Sequence, residues 1–106
     1  MESKKEKWAT VKTEAYQEIS QTIEMNAIYE VNNSVTQDRV RNEVTKIVNE
    51  YWEYLSETKI ICDGTVNTPD TIVAHEFRLK FCWKVEPTDE WTIVDFTLSP
   101  SGMEVK

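Results

Sequence analysis

His75 is the only histidine in the chain and stands next to Glu76, the kind of neighbour that lets an imidazole act as a general acid or base. No motif places a serine or cysteine nucleophile beside it, so the ordinary reading is an exposed residue at the end of a strand. Cys62 and Cys82 are the only thiols. A reactive thiolate needs a cation or a helix N-terminus to lower its pKa. Cys62 sits in an apolar strand-like run and reads as a small inert hydrophobe. Cys82 shares its alternation phase with Arg78, Lys80 and Lys84, which makes its thiolate the more plausible of the two on an otherwise ordinary solvated face. Asp63, Asp70, Asp89 and Glu90 carry oxygens that a cation could use, but calcium-loop spacing is absent and turns normally carry Asp. Two cysteines and one histidine make neither a disulfide framework nor a metal-ligand set. The expectation is a protein that is not an enzyme and has no catalytic, cofactor or metal site.

Aromatic residues point elsewhere. Four tryptophans occur in 106 residues. Trp52 and Trp83 fall on stripes that read as core. Trp8 and Trp91 are the candidates for a partner surface, because exposed aromatics anchor interfaces. Twelve basic against nineteen acidic residues give a net charge of −7, which argues against binding a phosphate backbone. No apolar run approaches the roughly 18 residues of a membrane span, and no basic-then-apolar start suggests a signal peptide. These features describe a soluble acidic protein made in a reducing cytosol, with residues 1–106 forming one domain.

The elements that must position these residues divide into two halves. Both glycines and all three prolines lie after residue 63, which suggests helices first and strands second, an α+β arrangement. Trp8, Val11, Ala15, Ile19, Ile23 and Ala27 recur at helical spacing and predict a helix over about 4–29. At ~1.5 Å per residue it would be about 39 Å long, enough for part of it to project. Val40, Val44, Ile47, Val48, Tyr51, Trp52 and Leu55 predict a second helix from about Thr36 to Ser56. Ser34 with Gln37 fits a capping box, and Thr36 with Asp38 offers another start. Strands are expected over about 58–63, 74–85 and 91–98. In the second, Phe77, Leu79, Phe81, Trp83 and Val85 should face the core. The turns are Asn67–Asp70 and Glu86–Asp89. The expected fold is two long helices on a three-stranded, mainly antiparallel sheet, followed by an extended C-terminal arm.

The succession of features also resembles a known family. Glu30-Val31-Asn32-Asn33 precedes Thr36 at a helix start. Ile60-Ile61-Cys62-Asp63, Asn67-Thr68-Pro69, Ile72, Glu76-Phe77, two strands and Gly102 then follow. Over about residues 28–106 this order is similar to the C-terminal, tube-proximal domain of contractile phage tail sheath proteins. Lys84-Val85-Glu86-Pro87 stands where that family has Lys-Pro after the long strand. The resemblance implies a virion structural protein of the tail, made in the host cytoplasm. Its partners would be neighbouring copies or sheath subunits and tube or baseplate proteins, in a homo- or hetero-oligomeric ring without nucleic acid or membrane. It further implies assembly by exchange of terminal arms, a form of β-augmentation. On that reading Trp8, Pro100, Gly102, Met103, Glu104 and Val105 form the partner interface, with Pro100 breaking the last strand and Gly102 freeing the arm. A competing reading is a small acidic phage inhibitor, an anti-defence protein or nucleic-acid mimic, although interspersed lysines dilute any phosphate-like row of carboxylates.

Overall fold

Hydrophobic stripes draw the helices together over the sheet, and the computed structural model, which describes residues 3–86 and 89–106, has α+β architecture. Its elements are α1 (Lys4–Ala27), α2 (Ser34–Asn49), β1 (Glu57–Ile61), α3 (Pro69–Val73), β2 (Phe77–Lys84), β3 (Thr92–Ser99) and β4 (Gly102–Val105). The four strands form one antiparallel sheet in the order β1-β2-β3-β4. The molecule measures 48 × 22 × 21 Å, and α1 accounts for most of the long axis.

Both helices start on side-chain caps. Ser3 Oγ accepts from Glu6 N–H at 3.2 Å, and Asn33 Oδ1 accepts from Thr36 N–H at 3.1 Å. The cap of α2 is therefore Asn33, one residue before the expected box, because the Gln37 carboxamide is drawn away to Asn32 (2.9 Å). α1 stops at Ala27 because Tyr29 adopts a left-handed backbone with φ 64°. Along α1, Trp8, Ala15, Ile19, Ile23 and Ala27 are buried.

α2 ends at Asn49, seven residues short of the expected Ser56. From Glu50 the backbone bonds run three residues back: Glu50 to Ile47, Tyr51 to Val48, Trp52 to Asn49 and Tyr54 to Tyr51. Three residues per turn rotate side chains faster than 3.6. The stripe loses phase, so Leu55 is buried while Trp52, expected in the core, is 72% exposed.

Within β2 the predicted alternation holds for Phe77, Leu79 and Phe81, which are buried, and for Arg78, which is exposed. Cys82 departs from it. It lies on the outer face between Lys59 and Ile93 in the cross-strand register, and these neighbours bury it. The segment expected as a plain turn contains α3, capped by Thr68 with Pro69 at its first position, where a missing N–H costs nothing. The expected turn at Glu86–Asp89 contains Pro87 and Thr88, which lie outside the described residues.

The larger correction is at the C-terminus. The expected three strands and free arm are instead four strands, because residues 102–105 fold back on β3. Ser99 pairs with Gly102, Leu98 with Met103, Thr97 with Glu104 and Phe96 with Val105. Pro100 and Ser101 form a two-residue hairpin loop in which Pro100 owes no ladder hydrogen bond, and Gly102 takes φ 120°. Met103 then packs against the core, so the arm finds its partner in the edge of its own β3.

Candidate functional site

Of the six residues expected at a partner interface, Trp8 does not belong there. It is 2% exposed and sits in an aromatic cluster, with ring centroids 5.5 Å from Trp83, 6.0 Å from Tyr51 and 6.4 Å from Tyr16, all edge-on. Trp83 Nε1 donates to Tyr16 Oη at 3.1 Å. Trp8 Nε1 has no partner. Burial raises the Tyr16 phenol, and burial with the nearby Glu18 pushes Tyr51 up to about 12. The N-terminal end of α1 is held down by the core rather than projecting from it.

The chemical candidates are not assembled into a site. His75 is exposed at φ 58°, where its N–H closes the end of α3 on Ile72 O (3.0 Å). It therefore precedes β2 instead of opening it. The carboxylate of Glu76 pairs with Arg78 at 2.9 Å. Asp63 accepts from both the N–H and the hydroxyl of Thr65, bonds that lower its pKa. Asp70 lies in the first turn of α3, and Asp89 and Glu90 are exposed. Among the described residues no three His, Cys, Asp or Glu side chains gather to hold a metal ion, and no helix is long and apolar enough to cross a membrane.

Burial drives Cys62 up to about 12 and raises Cys82. A thiol with a raised folded pKa stabilises the fold fully below its unfolded value, near 9.0, and loses that contribution as pH rises toward 12. Iodoacetamide at pH 8 should leave both thiols unmodified in the native protein and modify both in denaturant. Urea midpoints should fall above pH 9, less steeply for Cys62→Ala. Rapid native alkylation of Cys62 would contradict this placement.

The most connected polar cluster brings together many of the residues that carry the sequence resemblance. Asn32 Nδ2 donates to Asn67 Oδ1 and to the carbonyl of Glu76, both at 3.0 Å. Asn67 is 3% exposed. Its Oδ1 accepts from Arg78 N–H and its Nδ2 donates to Arg78 O, each at 2.8 Å. The carboxamide therefore pairs with β2 as a peptide group would, one step beyond the end of β1. Cys62 Sγ lies 3.7 Å from the same carbonyl. The cluster ties the α1–α2 turn, the loop after β1 and the start of β2 to one another. Its work is structural.

The other five expected interface residues do lie together, on the β3–β4 hairpin. Pro100 borders an apolar groove of ≈ 650 Å³ at the end of the molecule, formed with Ile28, Tyr29, Val31, Ile72 and Leu98. Tyr29 is 99% exposed there. Met103 and Val105 border a second groove of ≈ 530 Å³, whose other wall is α1 from Thr13 to Gln21. Glu104 faces the opposite side of the sheet, paired with Lys106 at 2.9 Å. Trp91 is 43% exposed, with Lys84 Nζ 4.7 Å from its ring centre. The Ser99–Gly102 spacing around Pro100 fits a hairpin corner as well as a strand break, so it does not distinguish a fourth strand from an arm; the Tyr29 groove has no signal beyond scattered apolar residues. No family model, curated protein or solved structure matches the chain.

Proposed function

We propose that the chain is a structural subunit of a contractile phage tail or tail-like particle, sheath-like or a baseplate or neck adaptor. It is held to neighbouring subunits through its sheet. The observation that carries this reading is the bare sheet edge at β4, which lies beside the groove under α1 and contains Gly102, Met103, Glu104 and Val105, four of the residues expected at an interface. Exposed strand edges that are neither covered nor broken invite pairing with another chain. Arm exchange of the kind the resemblance implies would lift β4 from its own β3 and lay it on a neighbour's. The same four pairings would be remade between subunits, as in domain swapping.

Charge weighs against the inhibitor reading. Glu30, Asp38, Glu43, Glu57, Glu76, Asp95 and Glu104 each lie within 4.0 Å of a lysine or arginine nitrogen, so their field is locally compensated rather than phosphate-like. The test is fractionation of a producing culture on a density gradient, followed by quantitative mass spectrometry. The chain should band with tail proteins in a fixed ratio to them. Recovery in the soluble fraction alone would overturn the proposal.

A further inference from the structure

The two outer strands of the sheet carry complementary edges. The phase of β2 is fixed by Asn67, which occupies both backbone groups of Arg78 from the β1 side. Antiparallel ladders alternate inward and outward bonding. Lys80, Cys82 and Lys84 therefore also bond toward β1, where they meet Ile61, Lys59 and Glu57. Thr58 and Ile60 are left with their N–H and C=O groups pointing away from the sheet. At the other edge Lys106 N–H donates to Asp95 O at 2.9 Å, so Glu104 and Gly102 also bond to β3. Met103 and Val105 then point outward. Among the described residues no loop or side-chain hydrogen bond reaches these four backbone sites.

We propose that β4 of one copy pairs antiparallel with β1 of a second copy, placing Met103 opposite Ile60 and Val105 opposite Thr58. The outward-bonding residues of both strands then coincide. Ile60 and Met103, which pack on the helix-side core in their own subunits, fall on the same face of the continued sheet. On the other face Glu104 meets Lys59 and Lys106 meets Glu57. The alternatives fail on charge or on face. A shift of two residues sets Glu104 against Glu57, or Lys106 against Lys59, and like charges directly opposite destabilise. A shift of one turns apolar side chains to the wrong face. Within the chain, Glu57 is held by the half-buried Lys84 (3.2 Å) and Glu104 by Lys106; Glu57, Glu104 and Lys106 are themselves exposed, so their carboxylates and ammonium can also reach the new partners. The groove between α1 and β4 leaves space beside the edge for the incoming strand.

This deepens the assembly reading and takes its biological sense from it, while its chemistry stands on the two edges alone. The ladder is short, so association of the isolated protein should be weak and concentration-dependent. Sedimentation of the full chain at low salt tests it. Glu104→Lys and Lys59→Glu should each associate about tenfold more weakly than the unaltered protein. An equimolar mixture of the two variants should recover association, because every edge again meets its opposite charge. Glu104→Cys mixed with Lys59→Cys should form a disulfide under mild oxidation faster than Glu104→Cys with Glu57→Cys or with Ile61→Cys. Unchanged association of the single variants, no recovery on mixing, or preferential Glu104→Cys self-crosslinking would overturn the pairing. None of those outcomes bears on whether the chain bands with tail proteins, so the two proposals fail separately.

Discussion

Replacing Trp8 by alanine should lower the free energy of unfolding by about 3–5 kcal/mol, the range for large aromatic truncations in a core. A domain of this size loses roughly 4–8 °C of Tm per kcal/mol, so the thermal transition should drop far enough to be unmistakable. The reason lies in where α1 begins. Trp8 is only its fifth residue, a position where helices ordinarily fray, yet its ring touches Tyr16, Tyr51 and Trp83 and thereby joins α1, the turns after α2 and β2. Trp8→Phe should recover much of the loss, because it keeps ring contacts and removes a buried N–H that has no acceptor. Trp91→Ala, on the outer face, should stay within about 0.5 kcal/mol. Urea unfolding followed by circular dichroism decides the matter. An unperturbed midpoint for Trp8→Ala would return that residue to the surface role its sequence context suggested.

Asn67→Ala should cost about 2–4 kcal/mol although it deletes only a small side chain. The substitution strands Arg78 N–H, Arg78 O and one donor of Asn32, and each buried group left without a partner costs on the order of 1–3 kcal/mol. Thr65→Ala, which removes one exposed bond to Asp63, is the matched control and should be near neutral. Chemical denaturation of the two variants side by side measures the difference. Equal, small effects would mean that water substitutes for the Asn67 carboxamide.

What the sequence revealed follows from how far each signal extends. The stripes of α1 and α2 and the alternation from Phe77 to Phe81 repeat often enough to fix both element and face. The end of α2 was hidden because Tyr51, Trp52 and Leu55 continue an apolar spacing that the chain no longer follows once it tightens to three residues per turn. The strand at 102–105 was hidden for a different reason. Four residues, most of them exposed, carry little hydrophobic pattern, and Pro100 reads equally well as a strand breaker or as a hairpin corner. α3 was missed because Thr68-Pro69-Asp70 serves a turn and a capped helix start alike. Five of the residues expected at an interface fall together on the hairpin. Trp8 was not separable from them, since a helix stripe shows which residues share a face but not whether its outermost turn is covered.

The Asn32–Asn67–Glu76 cluster also has a consequence in time. Its members are 35 and 44 residues apart along the chain, so these bonds close only after the helices, the loop and the first part of the sheet have come together. Contacts that form after the rate-limiting step leave the folding rate alone and appear in the rate of opening instead. Partition of the Asn67→Ala stability loss between the two chevron limbs reads this directly: a loss confined to the unfolding limb places the cluster after the rate-limiting step, and slowed folding places it in the nucleus. A contact that closes late acts on how long each folded copy persists rather than on how fast it forms.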